Sequence, residues 1–195
     1  MSTRSIIPSI TCKVECGTER GTAFFVDPHR LLTAFHVVGC ALNGNPIYAE
    51  IDGMYYECEL TIVRKGKDIA ILNLKDKTIN HEYGTLLSMP IEAKTHFRFW
   101  GYPSTLIGEA VGQSVKIRVD EIYIALEGDF DAYAVFEDEK HLTEYSGFSG
   151  SPVYAYSDKI IGVVTDILDS HIGFISIKDV ENELRVVTLA IKQLS

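Results

Sequence analysis

Short alternating apolar segments, each closed by a turn signal, constrain this chain more than any other feature. Ile10, Cys12 and Val14 share one side of the first such segment, which is the period of a strand with one buried face. Residues 22–26 form an apolar run closed by Asp27-Pro28, and residues 31–34 form another. Residues 47–51 lead into Asp52-Gly53, a two-residue hairpin signal. Residues 55–64 alternate, Lys65-Gly66-Lys67 turns, and residues 68–74 return. Residues 75–93 carry Gly84 and Pro90 and no period. A second set of strands is expected at 97–101, 115–126, 132–136, 152–156, 160–166 and 173–177. A short helix at 179–184 and a closing strand at 186–191 complete the pattern. With no long helical period and no repeat, the chain reads as all-β. At 195 residues it holds one sizeable core or two small ones.

Composition removes several classes of function. The chain is 46% hydrophobic and 23% charged, ordinary values for a soluble globular protein. Its formal net charge of −9 counts against nucleic-acid binding, which needs a basic face. That charge favours basic partners only weakly, because acidity also serves solubility. No apolar run reaches the roughly 18 residues of a membrane span. The first residues, Met1 to Pro8, lack the apolar stretch and small-residue cleavage site of a secretory signal. A cytoplasmic setting is expected, with Cys12, Cys16, Cys40 and Cys58 as free, buried, inert thiols. Cys12 and Cys16 are four apart while Cys40 and Cys58 are isolated. That is a poor match to zinc, which takes four ligands in close pairs. No metal and no organic cofactor is expected.

Chemistry concentrates in Gly147-Phe148-Ser149-Gly150-Ser151-Pro152. The first glycine lets the backbone turn so that its amide faces a cavity. The second leaves room for a substrate to approach the serine hydroxyl. These are the needs of a nucleophile beside an oxyanion hole made by the amides of Gly147 and Ser149. A serine needs a base to attack, and the base needs an acid to orient it. His36 follows the apolar run Leu31-Leu32-Thr33-Ala34-Phe35, and Asp68 stands at the mouth of Ile69-Ala70-Ile71-Leu72. The nucleophile elbow of α/β-hydrolases fits less well. It wants glycine at Ser151 and an acid and histidine after the serine, where only His171 follows.

The order His36, Asp68, Ser149, with intervals of 32 and 81 residues, resembles the trypsin-like, chymotrypsin-fold serine proteases. It is most similar to their compact bacterial members. Gly21-Thr22-Ala23-Phe24-Phe25-Val26 resembles the strand before their histidine, and Ile161-Gly162-Val163-Val164-Thr165 the strand bordering their specificity pocket. The resemblance covers about residues 10–191. It implies two packed antiparallel six-stranded β-barrels with the active site in the cleft between them. It also implies one helical turn from His36 to Cys40. The expected division is an N-terminal barrel at 1–85 with His36 and Asp68, a connector at 86–95, and a C-terminal barrel at 96–195 with Ser149. A single all-β sandwich without a site is the plainer alternative.

The resemblance further implies a serine endopeptidase acting on a protein or peptide substrate through an acyl-enzyme. Nucleic acid and membranes are not expected partners. Phe148 departs from the family, many members of which have an aspartate that pairs with a freshly cut N-terminus. No Ile-Val-Gly-Gly-type sequence stands near the N-terminus either. Control is therefore expected from a partner protein or a further domain, not from N-terminal cleavage. The disulfide that joins the strand before the histidine to the residue after it in vertebrate relatives is not expected, because Val37 stands there. By analogy the substrate pocket takes in Thr143, Glu144, Thr165, Asp166 and His171, with Asp169 nearby. Thr143 stands where trypsin carries its acid. The acids favour a basic residue before the scissile bond, while His171 with Thr143 would read a polar one, as in viral 3C-like proteases. A catalytically silent domain that holds a peptide in the cleft is the alternative function.

Overall fold

The computed structural model describes residues 5–103, 112–122, 132–137, 146–168, 171–178 and 180. A four-residue helix, α1 (Ile7–Ile10), leads into β1 (Thr11–Cys16), β2 (Glu19–Asp27) and β3 (Arg30–Ala34). The single turn α2 (Phe35–Val38) follows, then β4 (Ile47–Ile51), β5 (Met54–Arg64) and β6 (Ile69–Leu74). These six strands close into a barrel in the order β1-β2-β3-β6-β5-β4. Every pairing is antiparallel.

After β7 (Thr85–Leu86) come β8 (His96–Gly101), β9 (Gln113–Ile122), β10 (Ala132–Phe136), β11 (Pro152–Tyr154), β12 (Lys159–Leu168) and β13 (His171–Ser176). They run in the order β11-β8-β9-β10-β13-β12, and the β11–β12 pairing closes a second six-stranded antiparallel barrel. β7 lies in parallel on the edge of β12, with Thr85 opposite Lys159. Residues 85–86 therefore join a sheet, although the aperiodic stretch around them gave no strand signal. The expected strand at 186–191 and most of the expected helix at 179–184 lie outside the described residues.

Alternation works as the sequence reading requires. Along β1 the side chains of Cys12, Val14 and Cys16 are buried, while those of Lys13 and Glu15 are half-buried. β4 and β8 repeat the pattern. Asp52 and Gly53, both at positive φ, close the β4–β5 hairpin with Ile51 opposite Met54, as a primed two-residue turn does. Each barrel has its own apolar core. The first core also takes in Tyr154, Ile160, Val163 and Ile175 from the second barrel. The barrels therefore share a packed, water-excluding boundary.

The structure corrects the reading of the cysteines. Cys16, at the end of β1, is bonded to Cys40 in the 3-10 turn Gly39–Asn43, with 6.2 Å between their Cα atoms. This is not the bridge of the vertebrate relatives. Sequence distance hid the pairing, because only barrel closure brings the end of β1 beside the turn that follows His36. Cys12 and Cys58 remain free and buried. Burial, followed by the charge of Cys58, pushes the Cys12 thiol up, and burial pushes Cys58 up to about 12. Neither supplies a thiolate nucleophile at neutral pH.

Candidate active site

Strand register brings His36 and Asp68 together. β3 and β6 pair with Ala34 opposite Ile69, so one further step sets Phe35 against Asp68. The Phe35 amide donates to the Asp68 carbonyl at 2.9 Å. At that point the chain leaves β3 and enters α2, whose first amides have no partner within the helix. The Asp68 carboxylate takes one of them, accepting from the His36 amide at 2.8 Å through Oδ1. Its other oxygen, Oδ2, lies 2.6 Å from Nδ1 of the imidazole. One carboxylate therefore grips both the backbone and the ring of His36. Because a carboxylate only accepts, Nδ1 carries the proton and Nε2 is left as the basic nitrogen.

Asp68 has a φ of 45°, a left-handed conformation that Asp and Asn tolerate better than most residues. Its side chain is 13% exposed and that of His36 is 47% exposed. The hydrogen bond that Nδ1 donates to Asp68 is the largest influence on the imidazole and raises its pKa above the ordinary 6.5. Burial opposes this, and the charges of Asp68, Asp166 and Glu19 add to it.

The Ser149 loop is clamped between the barrels. On the second barrel, the Gly150 amide donates to the Val164 carbonyl at 2.7 Å and the Val164 amide to the Ser151 carbonyl at 2.9 Å. On the first barrel, the Thr22 amide donates to the Ser149 carbonyl at 2.8 Å. That carbonyl crowds Gly21 together with the side chain of Val37, the residue after His36. Gly147 has a φ of 97°, which a side chain would strain. The glycine after the serine has a different reason from the one expected. A Cβ on Gly150 would lie 2.0 Å from the Thr22 carbonyl and 2.3 Å from the Thr33 hydroxyl. The first barrel, not an approaching substrate, fills that space.

Among the described residues the Gly147 and Ser149 amides have no hydrogen-bond partner, and no hydrogen bond joins the Ser149 hydroxyl to His36. Phe148 is fully buried in the second core and meets the Phe99 ring edge-on, with 5.1 Å between centroids. An apolar anchor thus stands at the position where the resemblance implied an ion-pairing aspartate in many trypsin-like proteases.

The sequence motifs assign no role to Thr22 or Thr33. Both are fully buried and polar in otherwise apolar strands, which is the signal that was there to use. The Thr22 hydroxyl donates to the Gly147 carbonyl at 2.8 Å and accepts from the Tyr102 amide at 3.1 Å. The Thr33 hydroxyl donates to the Thr22 carbonyl at 2.7 Å. Thr22→Val keeps the shape but orphans two buried backbone groups, at about 1–3 kcal/mol each. Thermal unfolding is expected to show that loss, and Thr22→Ser is expected to recover most of it.

The remaining expected residues are placed less uniformly. Thr165 is 2% exposed and occupies the irregularity in β12 between the Val164–Phe174 and Asp166–Gly173 pairs. It is packed rather than lining an open wall. Asp166 is half-buried, accepts from the Ile167 amide at 2.8 Å, and adds its charge to the field at His36. His171 starts β13, opposite Leu168 and Val135. Thr143, Glu144 and Asp169 lie outside the described residues. Among the described residues, no three His, Cys, Asp or Glu side chains gather as a metal ion requires. No described helix is long and apolar enough to cross a membrane.

No protein-family model matches this chain, and no curated protein matches it by sequence. Solved structures do. The Rv3671c protease of M. tuberculosis, in an inactive form, superposes with a TM-score of 0.71 at 18% identity, over 92% of this chain and 89% of that one. Deg5 gives a TM-score of 0.71 at 15% identity, over 89% and 86%. A serine protease of a human pathogenic astrovirus gives 0.66 at 18%, over 87% and 90%. At such identities the likeness speaks for the fold, and the fold is that of the chymotrypsin-like proteases.

Proposed function

We propose that this chain is a serine endopeptidase with Ser149 as nucleophile, His36 as general base and acid, and Asp68 as the residue that orients His36. The observation that carries the reading is the double grip of Asp68 on His36, beside a serine loop clamped to the same end of the first barrel. In this mechanism the Ser149 oxygen attacks the peptide carbonyl carbon and His36 Nε2 takes the hydroxyl proton. The resulting oxyanion is held by the amides of Gly147 and Ser149. The C–N bond breaks as His36 returns the proton to the amine, leaving an acyl group on Ser149. Water then gives its proton to His36 and attacks the ester, and the acid departs as Ser149 regains a proton.

The two barrels of the proposal are residues 1–85 and 96–195, with 86–95 between them. The substrate pocket draws on Thr143, Glu144, Asp166 and His171, with Thr165 packed behind it, and favours a basic residue before the scissile bond. Asp166, half-buried beside the irregularity in β12, supports that preference. The target is restricted, and control comes from a partner or a further domain, because Phe148 is committed to the core. A cytoplasmic setting belongs to the proposal, and the Cys16–Cys40 bridge weighs against it. Alkylating thiols before lysis decides between the two.

A fluorophosphonate probe tests the central claim. Labelling of the wild type and none of Ser149→Ala is the expected result. The second reading, a silent peptide-binding domain, has one observation in its favour, the absence of a hydrogen bond between the Ser149 hydroxyl and His36. Failure of a folded wild-type protein to label would favour that reading, although such bonds often tighten only around substrate.

A further inference from the structure

The outer face of the second barrel carries cations that no described carboxylate answers. On β8 and β9 the exposed positions bring Arg98 opposite Lys116, with Arg118 two residues further along β9. Like charges directly opposite each other destabilise a sheet. Among the described residues no carboxylate pairs with Arg98, Lys116 or Arg118. This is unexpected in a chain of net charge −9, which has acids to spare.

Arg98 and Lys116 line a groove of about 750 Å³, walled by Trp100, Tyr154 and Tyr156. Two carboxylates also border it, and both are occupied. Glu137 pairs with His96 Nε2 at 2.8 Å. Asp158 accepts from the Ser5 hydroxyl at 2.9 Å and from the Ile6 amide at 2.8 Å. The Tyr154 hydroxyl is shared with Ser114 at 3.0 Å. Tyr156, by contrast, is 87% exposed, a large aromatic surface with no cover.

We propose that this groove binds an acidic peptide segment, with its carboxylates on Arg98 and Lys116 and its apolar side chains against Trp100 and Tyr156. Arg98 and Lys116 face each other across neighbouring strands, with Cβ atoms about 5 Å apart. An extended peptide carries acids at alternate positions about 6.8 Å apart on one face, a distance that the long Arg98 and Lys116 side chains can span. The closed barrel offers no free strand edge here, so side chains rather than an added strand make the contact. A polynucleotide fits less well, because its unbroken phosphate charge meets Glu137 and Asp158 and a strongly acidic protein. The groove contains none of His36, Asp68 or Ser149, so the inference stands apart from catalysis.

The test is fluorescence anisotropy at low salt with a fluorescein-labelled peptide of alternating Glu and Leu. Saturable binding by the wild type is expected. The Arg98→Gln/Lys116→Gln double variant is expected to bind at least about tenfold more weakly. Its melting temperature should be unchanged or higher, since the opposed charges are gone. The charge-preserving Arg98→Lys/Lys116→Arg exchange is expected to keep the affinity. No saturable binding by the wild type overturns the proposal, as does undiminished binding by the double variant. Displacement of the peptide by a lower concentration of an equally charged oligonucleotide overturns it too.

Discussion

Asp68→Asn is expected to leave a folded protein whose turnover falls by about 10⁴. Asparagine tolerates the left-handed backbone that Asp68 adopts, and its side-chain oxygen can still accept from the His36 amide. What it lacks is the charge that raises the imidazole pKa and selects the Nδ1 proton. The pH profile separates this role from a structural one. The base must be neutral, so in the wild type activity rises with pH through a midpoint above 6.5. In the variant the midpoint moves down towards 6.5. Stability follows the same linkage with a definite sign. A raised histidine pKa contributes stability that is full below the unfolded value and fades as pH rises through the folded one. The stability lost in Asp68→Asn should therefore be larger at pH 5 than at pH 9. An unchanged rate would mean that another acid orients His36.

Phe148→Ala is expected to cost about 3–5 kcal/mol. At ~2–4 °C per kcal/mol for a chain of this size, the melting temperature falls by about 6–20 °C. The ring is fully buried against Phe99 and reaches the space beside Gly101. Its loss opens a cavity immediately beneath the Gly147 and Ser149 amides. Fluorophosphonate labelling at a temperature where the variant is folded is therefore expected to slow as well. Phe148→Leu should keep most of both properties. If Phe148→Ala melts within about 2 °C of the wild type, the loop does not depend on this anchor.

Much of the scaffold was open to direct reading because strands and turns are local. The strands expected at 47–51 and 132–136 are the observed β4 and β10, with those bounds. Asp52-Gly53 closes its hairpin through the conformations of two adjacent residues. β7 escaped notice because two residues carry no period, and a parallel pairing with β12 depends on a partner more than 70 positions away. The site divides along the same line. Gly147 and Ser149 announce themselves within six residues, whereas the role of Gly150 depends on the Thr22 carbonyl and Thr33 hydroxyl of the other barrel.

The chain's order of residues determined by itself that it would be all strand, where its turns would fall, and which histidine, aspartate and serine deserved attention. Periodicity and turn chemistry act between near neighbours, so they survive in a one-dimensional record. Closure of the barrels decided the rest. It set Asp68 beneath His36, joined Cys16 to Cys40, buried Phe148, and left Arg98 facing Lys116. Those outcomes depend on register and on contact between distant segments, which become definite only when the sheet has curled round to meet its own first strand.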